Sequence, residues 1–226
     1  MPAVLSVIIP TLNAEAGLPA SLAALFEGLE AGIIRELVVT DGGSEDATIR
    51  IAEEVGAVLV QGAASRGGQL RRGVAVAKGS WFLILHADTV LPEGWSAAVE
   101  AHMASGEGAA VFRLGFDVDG VMPRFVAGWA NLRTALFGLP YGDQGLLIPQ
   151  QALDAIGGYP DQPLMEDVAI ARRLRGQITR LPLTVRTSAA RYRKDGWLRR
   201  GGRNLLLLLR YLLGADPASL AQAYRR

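Results

Sequence analysis

The chain has 226 residues, half of them hydrophobic, no cysteine and only two histidines, His86 and His102. That suits one domain with a sizeable core and argues against a disulfide framework, a thiolate metal site or a His-built zinc centre. The net charge of +1 conceals an asymmetry: residues 186–226 hold ten Lys/Arg against two Asp/Glu, and residues 1–185 hold thirteen against twenty. A tail this basic points to phosphates, on a ligand or on a lipid surface, or else to a plain solvated helix. No basic leader precedes the first apolar run, and no uncharged apolar run reaches the roughly 18 residues of a spanning helix. A cytoplasmic enzyme or binding protein is the expectation.

Residues 4–9 read as a buried strand ended by Pro10. Leu18, Leu22, Leu25 and Leu29 recur at helical spacing and predict one helix. Residues 37–40 form a second strand, followed by a helix to about Val55 with Ser44 or Asp46 as its cap. Residues 57–61 predict a third strand, 67–77 a third helix and 81–85 a fourth strand. This alternation argues for an α/β fold, a mostly parallel sheet flanked by helices. Beyond Asp88 the pattern loosens. Helices are expected over 94–105, 122–137, 151–156 and 168–175, and strands over Ala109–Phe116 and 145–148. The segment before Glu166 holds Gly157, Gly158, Pro160 and Pro163 and reads as a loop of the kind that is often functional.

Four clusters carry chemistry. Asp41 stands at a strand tip before Gly42 and Gly43, where an acid can accept from a ribose or base edge; a plain strand-turn-helix connection capped by Ser44 is the structural alternative. The G-x-G-x-x-G fingerprint is absent after the first strand, where Pro10-Thr-Leu-Asn13 stands instead, which speaks against a dehydrogenase. Asp88 surfaces directly after an apolar strand, as a turn residue or as an oxygen ligand for Mg²⁺ or Mn²⁺. Glu166 and Asp167 open a helix; they gain about 0.3–1 kcal/mol each from its dipole, and an acid there can also serve as a general base. Arg191, Arg193, Lys194, Arg199, Arg200 and Arg203 form a basic run suited to phosphates.

In this order and spacing the clusters resemble the family 2 glycosyltransferases of the GT-A fold, a Rossmann-like class. Residues 5–13 look like that family's first strand and loop. Residues 38–48 look like its V-D-D-G-S-x-D-x-T turn, and 65–69 with Gly73 like its third helix. His86-Ala-Asp-Thr89 takes the place of its D-x-D, Tyr141-Gly-Asp-Gln-Gly145 of its acceptor-side segment and Met165-Glu-Asp167 of its E-D motif. The closest likeness is to small bacterial members carrying H-A-D-T, G-D-Q and M-E-D together, over roughly residues 4–190. The resemblance implies a nucleotide-sugar half (1–95), an acceptor half (96–190) and a basic helical tail (191–226). It implies that Asp41 contacts the nucleoside, that Thr11 and Arg66 line the nucleotide pocket beside Pro10, and that Asp88 holds Mg²⁺ or Mn²⁺ against the diphosphate; His86 either faces the nucleotide or simply caps its strand. Arg191 and Arg193 would assist from the tail. Asp167 would be the base of an inverting transfer, with Glu166 shaping the acceptor site. The donor would be a UDP- or GDP-sugar and the acceptor a hydroxyl, with lipid-linked ones among the candidates and no nucleic acid. Three residues depart from the pattern: Gly42 for an acid, His86 for the first acid of D-x-D, and Arg71 for the Asn of close relatives. The Q-x-x-R-W of polymerising members is missing, so one sugar per acceptor is expected. A nucleotidyltransferase and a non-catalytic nucleotide-sugar binder are the rival readings.

The tail segment 203–214 is a short helix, apolar nearly all round, with Arg199, Arg203 and Arg210 on one stripe. It is too short to span a bilayer. Three placements stay open: the inner face of the cell membrane as a peripheral contact, the core of its own domain, or a homodimer interface.

Overall fold

The computed structural model describes residues 3–174 and 177–225. In chain order the elements are β1 (Leu5–Thr11), α1 (Leu18–Ala23), α2 (Phe26–Glu30), β2 (Ile34–Asp41), α3 (Thr48–Glu54), β3 (Val58–Gln61), α4 (Arg66–Val76), β4 (Trp81–Ile84), β5 (Thr89–Val90) and α5 (Trp95–Ser105). They continue as β6 (Ala109–Phe116), α6 (Val121–Phe137), a 3-10 turn (Gly142–Gln144), β7 (Leu146–Pro149), α7 (Gln150–Ala155), α8 (Glu166–Leu174), β8 (Ile178–Thr187), α9 (Ala190–Asp195), α10 (Trp197–Leu212) and α11 (Pro217–Arg225). The expected helix end at Arg175 lies outside the described residues.

The strands make one sheet in the order β3-β2-β1-β4-β7-β6-β8-β5. Pairs within β3-β2-β1-β4 are parallel, as is β6 with β8; β7 runs antiparallel to both neighbours and β5 antiparallel to β8. The sheet is mostly parallel, flanked by helices, as expected. β1 shows why its sequence is apolar throughout: Leu5, Val7 and Ile9 enter the core beneath α1, α2 and α5, while Ile8 enters the opposite core with Leu70 of α4 and Ile170 of α8. A strand covered on both faces has no polar side. β5 leaves the first half of the chain to pair on the far edge with β8, so the two halves share one continuous sheet.

Several elements differ from expectation for local reasons. Pro10 does not end β1. Ile8 O accepts from Leu85 N–H at 3.1 Å, so Pro10, two residues on, turns its nitrogen to the same side, where β4 has already ended at Ile84. Its missing N–H breaks no ladder bond. The single helix through Leu18–Leu29 is two, because Ala24 O accepts from Trp95 Nε1 at 2.9 Å and Gly28 N–H turns to Leu25 O. Asp46, not Ser44, serves α3: its Oδ1 accepts from Thr48 N–H at 2.9 Å. β8 was not expected at all; Pro182 hides it in the sequence, and the structure admits that proline where the β6–β8 register shifts between Val111 and Arg113.

The tail is longer than the 203–214 helix and docks on its own domain. Leu207, Leu208, Leu220 and Ala221 are buried against Leu164, Met165 and Val168.

Candidate active site

The C-terminal ends of β1 and β2 form the first wall. Asp41 is fully buried and its carboxylate is saturated: Oδ1 accepts from Gly43 N–H (2.8 Å) and Ser44 N–H (2.7 Å), Oδ2 from Thr11 Oγ1 (2.9 Å) and Ser44 Oγ. Four bonds fill a carboxylate's lone-pair sites. Burial pushes this carboxyl up, but the Ser44, Gly43 and Thr11 hydrogen bonds outweigh it and hold it below the usual range. Asp41 thus folds the loop against Thr11, the last residue of β1. Gln69, buried in α4, ties the same wall together, its Nε2 donating to Thr11 O (2.8 Å) and Thr40 O (2.7 Å).

β4 delivers His86 and Asp88. Asp88 is half-buried and its carboxylate has no hydrogen bond or ion pair among the described residues. His86 packs against the 3-10 turn; a Cβ on Gly142 would lie 2.4 Å from its Nε2. Burial, Arg66 and Arg191 push its pKa down to about 3, so it is a neutral imidazole at physiological pH. No three His, Asp or Glu side chains converge on one point among the described residues. Mg²⁺ is commonly held by one or two carboxylates plus substrate phosphates. One free carboxylate fits a cation that arrives with a diphosphate; it does not make a preformed cage.

The second wall comes from α8 and the 3-10 turn. Met165 adopts a left-handed backbone (φ 64) directly before the acids, an uncommon conformation for a non-glycine residue. Asp167 is half-buried, and both its oxygens are held by backbone: Oδ2 accepts from Gly142 N–H at 2.8 Å and Oδ1 from Val168 N–H at 2.7 Å. Glu166 is buried with Oε2 unpartnered. Burial and the Asp167 charge, opposed by Arg66, raise its carboxyl to about 7. Arg66, half-buried at the start of α4, feels Glu166, Asp167 and Asp88; their charges outweigh its burial and raise its pKa. Its neighbour Gly67 donates to Gln162 O (3.0 Å), and a Cβ there would lie 2.1 Å from Pro160 O. Glycine is required where α4 presses on the Gly/Pro loop, and that contact brings the two halves of the site together.

The Gly142–Gln144 turn adds two residues that no sequence pattern singles out. Asp143 faces Arg133, Asp167, Asp88 and Arg66 with Oδ1 unpartnered; burial first, then the two aspartates, raise it to about 6. Gln144 is buried and pins the turn: its Nε2 donates to Phe112 O (3.0 Å) and its Oε1 accepts from Thr134 Oγ1 (2.7 Å). The Arg133 guanidinium stacks on Tyr141 at 3.4 Å. A half-buried acid with no apolar period around it leaves no linear signal beyond the Gly-Asp-Gln triplet itself. From the tail, Arg191 lies close enough to depress His86, while Arg193 is exposed on α9 with no side-chain partner among the described residues.

Asp88, Asp143, Asp167 and Arg66 thus come near one another beyond the C-terminal end of β4, the side on which open α/β sheets bind ligands. Residues 6–135 match the family described as Glycosyl transferase family 2. The chain belongs to glycosyl transferase family 2. It is similar to a PGL/p-HBAD biosynthesis glycosyltransferase of Mycobacterium bovis, 40% identical over 95 residues, covering 39% of this chain and 36% of the relative. The chain therefore aligns with about a third of that curated relative. The fold is similar to that of Mycobacterium tuberculosis glucosyl-3-phosphoglycerate synthase, in complex with Mn²⁺, uridine diphosphate and glucosyl-3-phosphoglycerate (TM-score 0.63, 20% identity, covering 90% of this chain and 79% of that one). It recurs in S. aureus TarS 1–349 in complex with UDP-GlcNAc (TM-score 0.62, 17% identity, covering 83% and 58%).

Proposed function

We propose that this family 2 member transfers one sugar from a nucleoside-diphosphate sugar to a hydroxyl acceptor with inversion at the anomeric carbon. The observation that carries the reading is Asp167, whose carboxylate is aimed by two backbone N–H groups yet stays half-exposed beside Arg66. Asp167 takes the acceptor proton as the acceptor oxygen bonds to the anomeric carbon and the nucleoside diphosphate leaves from the opposite face. Arg66 presents positive charge to the departing phosphates, with Arg191 reaching in from α9. A Mg²⁺ or Mn²⁺ ion held by Asp88 and the diphosphate would neutralise charge on the leaving group when bound. The loop clamped by Asp41, Thr11 and Gln69 shapes the nucleoside pocket, and Glu166 and Asp143 the acceptor side. A UDP-sugar is the first donor to test, because both structural neighbours were captured with uridine nucleotides.

Incubation with UDP-glucose or UDP-GlcNAc, Mn²⁺ and a panel of hydroxyl acceptors tests this; the expected product is one glycoside of inverted configuration by NMR. The lone Asp88 favours a second reading, a nucleotide-sugar binder without turnover. That reading stands if donors bind but no nucleoside diphosphate is released with any acceptor.

A further inference from the structure

α6 and α10 carry apolar residues on the side that faces away from the protein. On α6, Val121, Phe125, Trp129, Leu132 and Leu136 follow helical spacing and are 45–82% exposed, while the opposite side, Ala127, Ala130 and Thr134, is buried. On α10, Leu207 and Leu208 anchor the helix to the domain, while Leu198, Leu206, Leu209 and Leu213 are 48–87% exposed. The two helices pack against one another. Isolated exposed leucines need no explanation, but two adjacent helices with apolar outer faces do.

Charge says what covers them. At 100° per residue, Arg199 and Arg210 form one edge of the apolar stripe of α10, with Arg203 between them turned to Tyr224 O of α11, and Arg124, paired with Asp119, flanks that of α6. Beside α6 a groove of about 630 Å³ is lined by Gly128, Leu132 and Ala135 together with Arg113 and Arg180. The chain from residue 186 onward carries ten cations against two anions. An apolar face rimmed by guanidinium groups matches acyl chains rimmed by phosphates. A second copy of the same face would bring like charges together.

We propose that the outer faces of α6 and α10 form one docking face that seats the protein on an anionic lipid surface. This stands apart from the sugar-transfer reading. Its link to the site is positional: Leu207 and Leu208 cover Leu164 and Met165, directly before Glu166 and Asp167, and α6 leads into the turn that holds Asp167. Docking therefore sets the acceptor side of the cleft at the lipid interface.

The test is flotation of the full chain with vesicles of phosphatidylcholine, with and without phosphatidylglycerol. Binding is expected only with phosphatidylglycerol, weakening as salt rises. The pairs Phe125→Ser with Leu136→Ser, and Leu206→Ser with Leu213→Ser, replace exposed side chains and leave the core intact. Each pair should weaken partitioning at least about tenfold, the order expected when buried methylenes are lost. Arg199→Gln with Arg210→Gln should abolish the preference for the anionic lipid. Equal binding to both vesicle types, binding unchanged in the serine pairs, or a concentration-dependent dimer that the serine pairs dissociate without any vesicle binding would each overturn the proposal.

Discussion

Gly142 N–H donates to Asp167 Oδ2 at 2.8 Å, and the same Gly142 lies against the His86 ring, where an added Cβ would come within 2.4 Å of Nε2. One backbone amide thus links the last residues of β4 to the first residues of α8. Asp167 is aimed by a contact that exists only while the 3-10 turn is seated.

Asp167→Asn keeps an acceptor oxygen for Gly142 N–H but removes the base. Turnover should fall about 10²–10⁴-fold, while the Kd for the donor changes little. Steady-state rates beside calorimetric donor binding check this. Turnover equal to the parent would remove Asp167 from its role.

Gly142→Ala drives a methyl group into His86. It should cost about 1–3 kcal/mol of stability, read as a lower denaturant midpoint. Combining it with His86→Ala should recover most of that loss, because the clash has only one partner. A full additive loss in the double variant would show that the strain lies elsewhere.

Asp41→Ala strips four donors, on Thr11, Gly43 and Ser44, of their acceptor. Unpaired donors make this substitution cost about 2–4 kcal/mol. Because the folded carboxyl lies below its ordinary value, Asp41 stabilises the fold above the unfolded pKa of about 4, and that contribution disappears as pH falls through the folded one. The Ala variant should be least handicapped in acid, a trend that urea titrations at several pH values would read.

Glu166 behaves in the opposite sense. Its carboxyl is raised to about 7 by burial and by Asp167, with Arg66 opposing; Tyr159, whose own pKa Glu166 helps to raise, is its other titratable neighbour. The folded state therefore holds a proton that the unfolded chain releases near pH 4.5, so stability falls as pH rises from about 4.5 to 7 and then levels. Glu166→Gln cannot ionise and should flatten that fall in stability. An unchanged slope in the Gln variant would contradict the burial argument.

Asp88→Asn should remove the enhancement of UDP-sugar binding by Mn²⁺ while leaving metal-free binding nearly intact. Calorimetry with and without the metal separates the two. Retained enhancement would move the cation to other ligands.

Much of the fold was legible where the period was clean. β1, β2 and β4 are runs too apolar for any place but a two-sided core, and α5, β6 and α6 appear within a residue or two of their patterns. β8 was illegible because Pro182 and alternating arginines read as loop until a register shift in β6 accommodates them. The break between α1 and α2 depends on Trp95, some 70 residues away, and no local window holds both partners.

The order of Asp41, Asp88, Glu166 and Asp167, each after an apolar run or at a helix start, is a property of the sequence alone, and it was enough to indicate the family. Tertiary structure decided what each acid is free to do. Asp41 accepts four bonds from Thr11, Gly43 and Ser44; Asp88 accepts none among the described residues; Asp167 is held by an amide 25 residues earlier; Asp143 joins them from the 3-10 turn. The tail, open among membrane, core and dimer, proves to use one face of α10 for the core and leave the other uncovered. Hydrophobic period and the acid at a strand tip are local and survive in one dimension. Hydrogen-bond saturation, burial and the charge of distant neighbours are sums over residues that only folding brings together.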